Sequence, residues 1–234
     1  MKKLTDFTSA RVSLGLTGDS LPTAPLLNFR LAHARARDAV QFPLDSASLV
    51  QEMAERNWSA RVLHSAARTR NEYLGRPDQG RRLDDASCAE LSKSNMPQPV
   101  VFIVADGLSA LAVHRHAIPL LERVLPREET SPIWIVQQAR VAIGDHIGAL
   151  LGAELSVVLI GERPGLSTPD SLGVYLTWQP NLNRTDAERN CISNIHSQGL
   201  SYDIAAQKLL FLASEARRRK LTGIALKETL QALC

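Results

Sequence analysis

The sequence predicts an α/β fold, with a Rossmann-like, mostly parallel sheet flanked by helices and preceded by a helical N-terminal part. After residue 59, apolar runs typical of buried strands alternate with amphipathic segments typical of helices, which indicates βαβ units. Residues 4–57 carry apolar groups at helical spacing and few strand signals. The composition, 44% apolar and 22% charged, is that of a globular protein. We expect a helical part at residues 1–58 and an α/β domain at residues 59–234.

The N-terminal part is predicted to contain two helices. Pro22 stands near the start of the first, because proline suits the first turn of a helix. Asp45 is the predicted N-cap of the second, since its carboxylate can accept a hydrogen bond from an amide of the first turn. The α/β domain then opens with a predicted strand in ARVLHSAA and a turn that runs into a helix in NEYLGRPDQGRRLDDASCAEL.

The centre of the α/β domain is predicted to hold three strands separated by helices. The strands are PVVFIVADG, SPIWIVQQARV and AELSVVLIGE, and the helices between them are GLSALAVHRHAIPLLERVL and GDHIGALLG. SLGVYLTW follows as a further strand, for which an antiparallel orientation is open, and YDIAAQKLLFLASEARRRK as a long amphipathic helix. The basic run at residues 217–220 ends that helix, where cations complement the helix dipole.

Charge, cysteine content and hydropathy exclude several classes of protein. The net charge of +3 and the absence of a basic stripe with interleaved aromatic residues argue against nucleic-acid binding. The three cysteines, Cys88, Cys191 and Cys234, have no CxxC spacing, so neither a disulfide framework nor a structural zinc site is expected. No apolar segment approaches the roughly twenty residues of a membrane span. We expect a protein of the reducing cytoplasm, without a membrane or a nucleic-acid partner.

Glu162 and Arg163 follow the predicted strand at residues 155–160, where its carboxyl end meets solvent. In open α/β sheets this edge binds ligands. Pro164 and Gly165 turn the chain there, which would fix the direction of the Glu162 carboxylate. The alternative is an ordinary exposed turn with a solvated ion pair.

Two further stretches are candidate sites. In ADGLSALAV, amides near Gly107 and Ser109 could hold a phosphate at a helix N-terminus, or Asp106 could cap that helix. GLSAL resembles a nucleophile elbow that lacks its second glycine. Cys191 stands five residues before His196, so the pair could act as thiolate and base if the fold brings them together, whereas packing is the alternative for the thiol. A self-sufficient hydrolase that uses Cys191 or Ser109 with His196 is therefore one hypothesis.

Metal and partner sites have weaker candidates. Asn194-x-His196-x-x-Gly199 is similar to the DxHxxG motif whose histidine ligates cobalt in base-off corrinoid proteins, but an amide replaces the carboxylate that raises ligand basicity. Cobalt ligation by His196 is therefore not expected. Four arginines surround Asp78, and their guanidinium groups suit carboxylates or phosphates of a partner, with a solvated helix start as the alternative. These arginines are Arg70, Arg76, Arg81 and Arg82.

Five motifs together resemble the light chain of ethanolamine ammonia-lyase. They are YLGRPDQGRRL, VADGLS, RVAIGDHIG, GERPGLSTPDSLGVY and NCISNIH, and they occur in order from about residue 61 to the C-terminus. A weaker likeness extends through RVSLGLTGDSLPTAPLLNFRLAHARARDAV. The resemblance implies an adenosylcobalamin-dependent lyase that converts ethanolamine to acetaldehyde and ammonia, whose heavy chain carries the barrel and the substrate site.

The resemblance also implies a cofactor site between the light and the heavy chain, where adenosylcobalamin keeps its own dimethylbenzimidazole on cobalt. The family's cofactor contacts fall on Val141 of RVAIGD, Glu162 of GERPGL and Cys191 of NCISN. We expect Glu162 to accept hydrogen bonds from the polar periphery of the cofactor, and Val141 and Cys191 to act through backbone groups and packing. No catalytic acid, base, nucleophile or metal ligand is expected on this chain, which would be a non-catalytic but required subunit.

The family precedent for the assembly is six heavy and six light chains. Several members carry a longer N-terminal extension associated with entry into a bacterial microcompartment, and this chain starts close to the body shared by the family, which disfavours encapsulation. DSLGVY also stands where the family has ESLSxY, so a shorter carboxylate is expected to alter local contacts. Beside the hydrolase, a second alternative is a scaffold that stabilises its partner without contacting the cofactor.

Overall fold

The computed structural model describes residues 11–12, 14–93, 98–125 and 132–227. The strands are β1 (Ala60–His64), β2 (Val100–Ala105), β3 (Ile133–Gln137), β4 (Leu155–Gly161), β5 (Leu172–Trp178) and β6 (Arg189–Ile195). The helices are α1 (Thr23–Gln41), α2 (Ser46–Ala54), α3 (Arg70–Gly75), α4 (Asp85–Ser92), α5 (Ala110–Val124), α6 (Ile143–Leu150) and α7 (Tyr202–Arg219). Short 3₁₀ turns follow α3, precede β6 and follow α7.

The six strands form one sheet in the order β1-β3-β2-β4-β5-β6. The first four in this order are parallel to one another, whereas β5 runs antiparallel to both β4 and β6. The predicted α/β fold with a mostly parallel sheet and flanking helices is therefore confirmed. The antiparallel orientation left open for SLGVYLTW is the observed one. β6 was not predicted as a strand, because NCISNIH was interpreted only as a site motif.

Helices cover both faces of the sheet. β2 and β4 are buried along their whole length, as continuous apolar runs in parallel sheets usually are. Alternate β2 residues enter two separate clusters: Val100, Phe102 and Val104 pack with α2, α5 and α7, whereas Val101, Ile103 and Ala105 pack with α4 and α6. The two clusters hold the sheet rigid between its helices, so the loops at its edge start from fixed positions.

The N-terminal helices agree with the sequence prediction only in part. Asp45 caps α2 as expected, with its Oδ1 accepting a hydrogen bond of 3.0 Å from the amide of Ser48. α1 follows Pro22, but it begins at Thr23 and not before, since Gly15 and Gly18 adopt positive φ angles of 76° and 60° in an irregular stretch. The part of the prediction that falls on residues 4–10 lies outside the described residues, and so does Cys234.

The connections after β2 and β4 leave the sheet in opposite directions. The chain passes from β2 through α5 to β3 on one side, and from β4 directly to β5 on the other. β2 and β4 are neighbours, so their carboxyl ends form a topological switch point, the usual place for a ligand crevice in an α/β sheet. The two loops touch through glycines: a methyl group on Gly107 would overlap the carbonyl of Gly161. This close approach brings the residues after β2 and β4 together.

Candidate functional site

A cavity of about 370 Å³ opens at the switch point, and we call it the edge cavity. Its lining comes from the loops that follow β2, β3 and β4, together with α3 and β5. Among the lining residues are Tyr73, Gly107, Arg140, Val141, Glu162 and Tyr175. Two of the three residues that the resemblance selected, Val141 and Glu162, therefore border one cavity.

Glu162 is held by a defined set of hydrogen bonds. The hydroxyl of Ser171 donates to Glu162 Oε2 at 2.5 Å, and the amide of Asn194 donates to the same oxygen at 3.3 Å. The side chain is half-buried, and the hydrogen bonds described for it leave Oε1 unused. Within the described residues no ion pair joins Glu162 to Arg163. The carboxylate is thus a positioned acceptor at the edge cavity, and the solvated ion pair considered from sequence is not observed.

Val141 lies between β3 and α6 and is half-buried. Its carbonyl accepts a hydrogen bond of 3.1 Å from Gly144 in the first turn of α6, so its backbone position is fixed by that helix. Its side chain packs at the margin of the core cluster that contains Ile143. Val141 can therefore offer the edge cavity a small apolar surface of fixed position.

Cys191 lies on β6 and does not line the edge cavity itself. It pairs with Tyr175 of β5, which does line that cavity. Cys191 lines a neighbouring cavity of about 440 Å³ together with Asn194 and Lys208. The structure therefore brings Val141 and Glu162 together at the edge cavity, and places Cys191 on β6, the strand next to β5.

The environment of Cys191 disfavours a thiolate. Although the residue as a whole is exposed, partial desolvation of the sulfur raises the pKa of the thiol, and the Glu162 carboxylate raises that pKa further. The neighbouring Tyr175 hydroxyl lowers the pKa of the thiol in part. Burial likewise raises the pKa of the Tyr175 phenol. A thiol with a raised pKa is protonated at neutral pH, which suits packing and not nucleophilic attack.

A stack of two arginines on a tyrosine lies beside the edge cavity and was not predicted from the sequence. Tyr73 is fully buried, with the guanidinium carbons of Arg70 and Arg140 at 4.7 Å and 4.2 Å from its ring centre. Its hydroxyl donates to the carbonyl of Ala139 at 3.2 Å. Such cation–π contacts are strongest where they are shielded from water. The stack ties α3 to Arg140, the residue that precedes Val141 in the loop after β3.

Asp106 and Ser109 have roles that differ from those considered for them from the sequence. Ser109, and not Asp106, caps α5, its Oγ accepting from the amide of Ala112 at 3.3 Å. Asp106 instead accepts hydrogen bonds of 2.9 Å from the amides of Gln138 and Ala139, which joins β2 to the loop after β3. Burial raises the pKa of Asp106, and these two amides with the guanidinium of Arg70 oppose that shift. The capping prediction for Asp106 was wrong, because a tertiary contact claims its carboxylate.

The phosphate site considered at this turn is not supported. The amide of Leu108, between Gly107 and Ser109, donates to the carbonyl of Gly161 at 3.0 Å. The Ser109 hydroxyl is also occupied, since it donates to the carbonyl of Pro169 at 2.9 Å. The groups that would cradle an anion therefore hold the loops together.

Within the described residues, neither nucleophile of the hydrolase hypothesis, Cys191 or Ser109, is hydrogen-bonded to its proposed base, His196. His196 Nε2 lies 2.8 Å from Asn194 Oδ1, and its Nδ1 accepts from the amide of Gln198 at 3.3 Å. The part of the chain that the structure describes contains no group of three metal-ligating side chains. None of its helices is both long and apolar enough to cross a membrane.

The arginine cluster around Asp78 is split by the fold. Arg70 is mostly buried against Asp106, so it is not part of a surface patch, and including it in the candidate interface was wrong. Arg76 pairs with Asp78 through two hydrogen bonds of 3.0 Å and 2.8 Å. Arg81 and Arg82 are exposed and line a cavity of about 600 Å³. These three arginines remain a predicted partner surface.

Comparison with known proteins agrees with the resemblance drawn from the motifs. The family model described as ethanolamine ammonia-lyase light chain matches residues 1–227. The ethanolamine ammonia-lyase small subunit of Pseudomonas fluorescens (strain Pf0-1) is 53% identical over 238 residues, which cover 98% of this chain and 87% of the relative. The small subunits of Pseudomonas putida (strain GB-1) and Pseudomonas aeruginosa (strain LESB58) are 51% and 52% identical over 234 residues, each covering 96% of this chain and 86% of the relative.

Proposed function

Because the chain belongs to the ethanolamine ammonia-lyase light-chain family, we propose that it is the light chain of an adenosylcobalamin-dependent lyase that converts ethanolamine to acetaldehyde and ammonia. In this proposal the heavy chain carries the catalytic groups, and the light chain is required but not catalytic. It helps to hold the cofactor between the two chains. The observation that carries the proposal is the positioned carboxylate of Glu162 at the switch point of the sheet.

The residues around the edge cavity fit a large molecule with an amide-rich rim. Amide N–H groups are donors, and an ionised carboxylate is a strong acceptor for them. Glu162 would accept such bonds, and Val141 and Cys191 would contribute backbone groups and packing. When bound, adenosylcobalamin supplies the radical by homolysis of its cobalt–carbon bond, and the protein holds and orients it. The raised pKa of the Cys191 thiol supports a packing role.

The size of the edge cavity supports a site shared with another chain. A cavity of about 370 Å³ is at the small end of the range for drug-sized ligands, and adenosylcobalamin is considerably larger. A second surface must therefore enclose the rest of it, and the heavy chain is the partner that the family provides. Following the family precedent, we place six heavy and six light chains in the assembly, in the cytoplasm. Free thiols at Cys88 and Cys191 agree with a reducing compartment.

The bonding of His196 supports a cofactor that keeps its own base. Both ring nitrogens of this histidine contact residues two positions away in the chain, Asn194 at the end of β6 and the amide of Gln198. A lower ligand to cobalt would need one nitrogen free and the other held by a strong acceptor. The same bonds argue against a hydrolase in which His196 is the base.

Reconstitution tests the function directly. Acetaldehyde release from ethanolamine and adenosylcobalamin is measured with this chain alone, with the cognate heavy chain alone and with the two co-expressed. We expect turnover only from the co-expressed pair. Turnover by this chain alone would favour a self-sufficient enzyme. No turnover from a folded, assembled pair would overturn the proposed function.

A further inference from the structure

We propose that Ser171 is a positioning residue that fixes the Glu162 carboxylate for the cofactor, and that Gly173 is the residue that leaves room for this carboxylate. The inference rests on the proposed function of Glu162 and adds two residues that act through it. Neither Ser171 nor Gly173 lines the edge cavity, so a direct contact with the cofactor is not part of the proposal.

Ser171 is joined to Glu162 twice. Its hydroxyl donates to Glu162 Oε2 at 2.5 Å, and its carbonyl accepts from the Glu162 amide at 2.9 Å. Ser171 is only 8% exposed, so water competes poorly for the hydroxyl. A hydrogen bond to an ionised group is stronger than one between neutral groups. The bond therefore selects one orientation of a side chain that has three rotatable bonds.

The position of Ser171 is set by α5, because Ser109, the N-cap of this helix, and Arg115 within it hydrogen-bond to the two residues that precede Ser171. The Ser109 hydroxyl donates to the carbonyl of Pro169 at 2.9 Å, and Arg115 Nη1 donates to Asp170 Oδ2 at 2.6 Å. After Ser171 the chain enters β5, an interior strand between β4 and β6. The donor thus sits between two anchored segments, which is how an orienting group must be held to be effective.

Gly173 gives the carboxylate its space. A Cβ built at this position would lie 2.9 Å from Glu162 Oε1 and 3.2 Å from Glu162 Cγ. Both separations are shorter than ordinary van der Waals contact, which begins at about 3.5 Å. Any larger residue would push the carboxylate away from Ser171. The glycine is thus matched to the orientation that the serine selects.

The consequence for binding is preorganisation. Without the Ser171 hydroxyl, the Glu162 side chain would sample other rotamers, and the cofactor would have to order it on binding. The affinity for the cofactor should fall, although no contact with the cofactor is removed. The effect should vanish when Glu162 itself is absent, because Ser171 acts only through it.

The test compares variants in the co-expressed complex. Adenosylcobalamin is titrated into each complex, and the dissociation constant is read from equilibrium dialysis, with assembly checked by size-exclusion chromatography. We expect Ser171→Ala to weaken binding about tenfold, and Ser171→Thr, which keeps the hydroxyl, to restore most of it. The matched control is Ser87→Ala. Ser87 is 7% exposed, and its hydroxyl oxygen accepts a hydrogen bond from the amide of His64, away from the site. The control should bind like the unaltered complex.

A double-mutant cycle separates positioning from general damage. Ser171→Ala should add nothing to the loss caused by Glu162→Ala. Normal affinity of Ser171→Ala beside a weakened Glu162→Ala would overturn the positioning role and leave the proposed function standing, as would additive losses. Normal affinity of Glu162→Ala would overturn both the positioning role of Ser171 and the cofactor role of Glu162, whereas the lyase function itself is decided by the reconstitution assay. If Ser171→Ala fails to assemble, Gly173→Ala tests the same claim: it should weaken binding in an assembled complex, and normal affinity would refute it.

Discussion

Gly161 ends β4 at the point where the strand meets the turn after β2, and replacing it by alanine tests how the site is built. A Cβ at this position would overlap the carbonyl of Ser109 and lie 2.7 Å from the carbonyl oxygen of Asp106. Both obstacles are atoms of the buried backbone, so the overlap cannot be relieved by rotation of a side chain. The turn after β2 would have to move away by about 1.5 Å to restore ordinary contact.

The expected loss of stability follows from this overlap. Overpacking of a rigid core costs about 1–3 kcal/mol, and the backbone obstacles place Gly161→Ala near the upper end, at about 3 kcal/mol. In a chain of this size that corresponds to a melting temperature lower by about 6–12 °C. Urea unfolding of the purified chain, followed by far-UV circular dichroism, measures the change in the free energy of unfolding.

Gly165→Ala provides a control in the same loop region. The nearest atom to its Cβ would be the carbonyl oxygen of Thr168 at 3.5 Å, an ordinary contact, and its φ is not positive. We expect a change within about 0.5 kcal/mol, as for most surface substitutions. If Gly161→Ala is as stable as Gly165→Ala, the close packing of the two loops does not hold the site together.

Three further predictions concern the core, the pH dependence and the thiol. Asp145 forms a buried ion pair of 2.6 Å with Arg189, so Asp145→Ala should lower the free energy of unfolding by about 3 kcal/mol in urea unfolding, and a change below about 1 kcal/mol would contradict this. Cys191→Ser should keep most of the acetaldehyde production of the assembled enzyme, because a protonated thiol only packs, and complete loss in a folded complex would contradict this. Desolvation lowers the pKa of three histidines in the folded chain, so the unfolded chain binds more protons at these side chains below about pH 6.5. The free energy of unfolding should therefore fall as the pH drops through about 6.5, which urea unfolding at a series of pH values measures. Equal stability across that range would contradict this prediction. The three histidines are His114, His116 and His146.

The fold was largely predictable where burial leaves a local signature. β2 and β4 are buried on both faces, so their sequences are continuous apolar runs that indicate parallel strands. β6 escaped prediction for the opposite reason. It is an edge strand in which Arg189, Ile192 and Ile195 are buried and the other four residues are not, so RNCISNI shows neither an apolar run nor a clear alternation.

The site was predictable where it follows from the end of a strand, and not where it depends on contacts between distant residues. The position of Glu162 after β4 was enough to place it at the carboxyl end of the sheet, where it lines the edge cavity. The contact of Arg70 with Asp106 spans 36 residues, and a local reading assigned one to an interface and the other to a helix cap. The bond from Ser171 to Glu162 depends on the antiparallel return of β5, an orientation that the sequence left open.

The affinity of the assembled enzyme for adenosylcobalamin tests the central claim most directly, with Glu162→Ala beside Glu154→Ala. Glu154 is an exposed glutamate at the opposite end of β4, so its variant controls for the loss of charge. Because Glu162→Ala removes a charged hydrogen-bond acceptor, the complex with this variant should bind adenosylcobalamin about 10- to 100-fold more weakly than the unaltered complex. Glu154→Ala should stay within about twofold of the unaltered complex. Equal affinity of the two variants in intact complexes would contradict a cofactor site at this edge of the sheet.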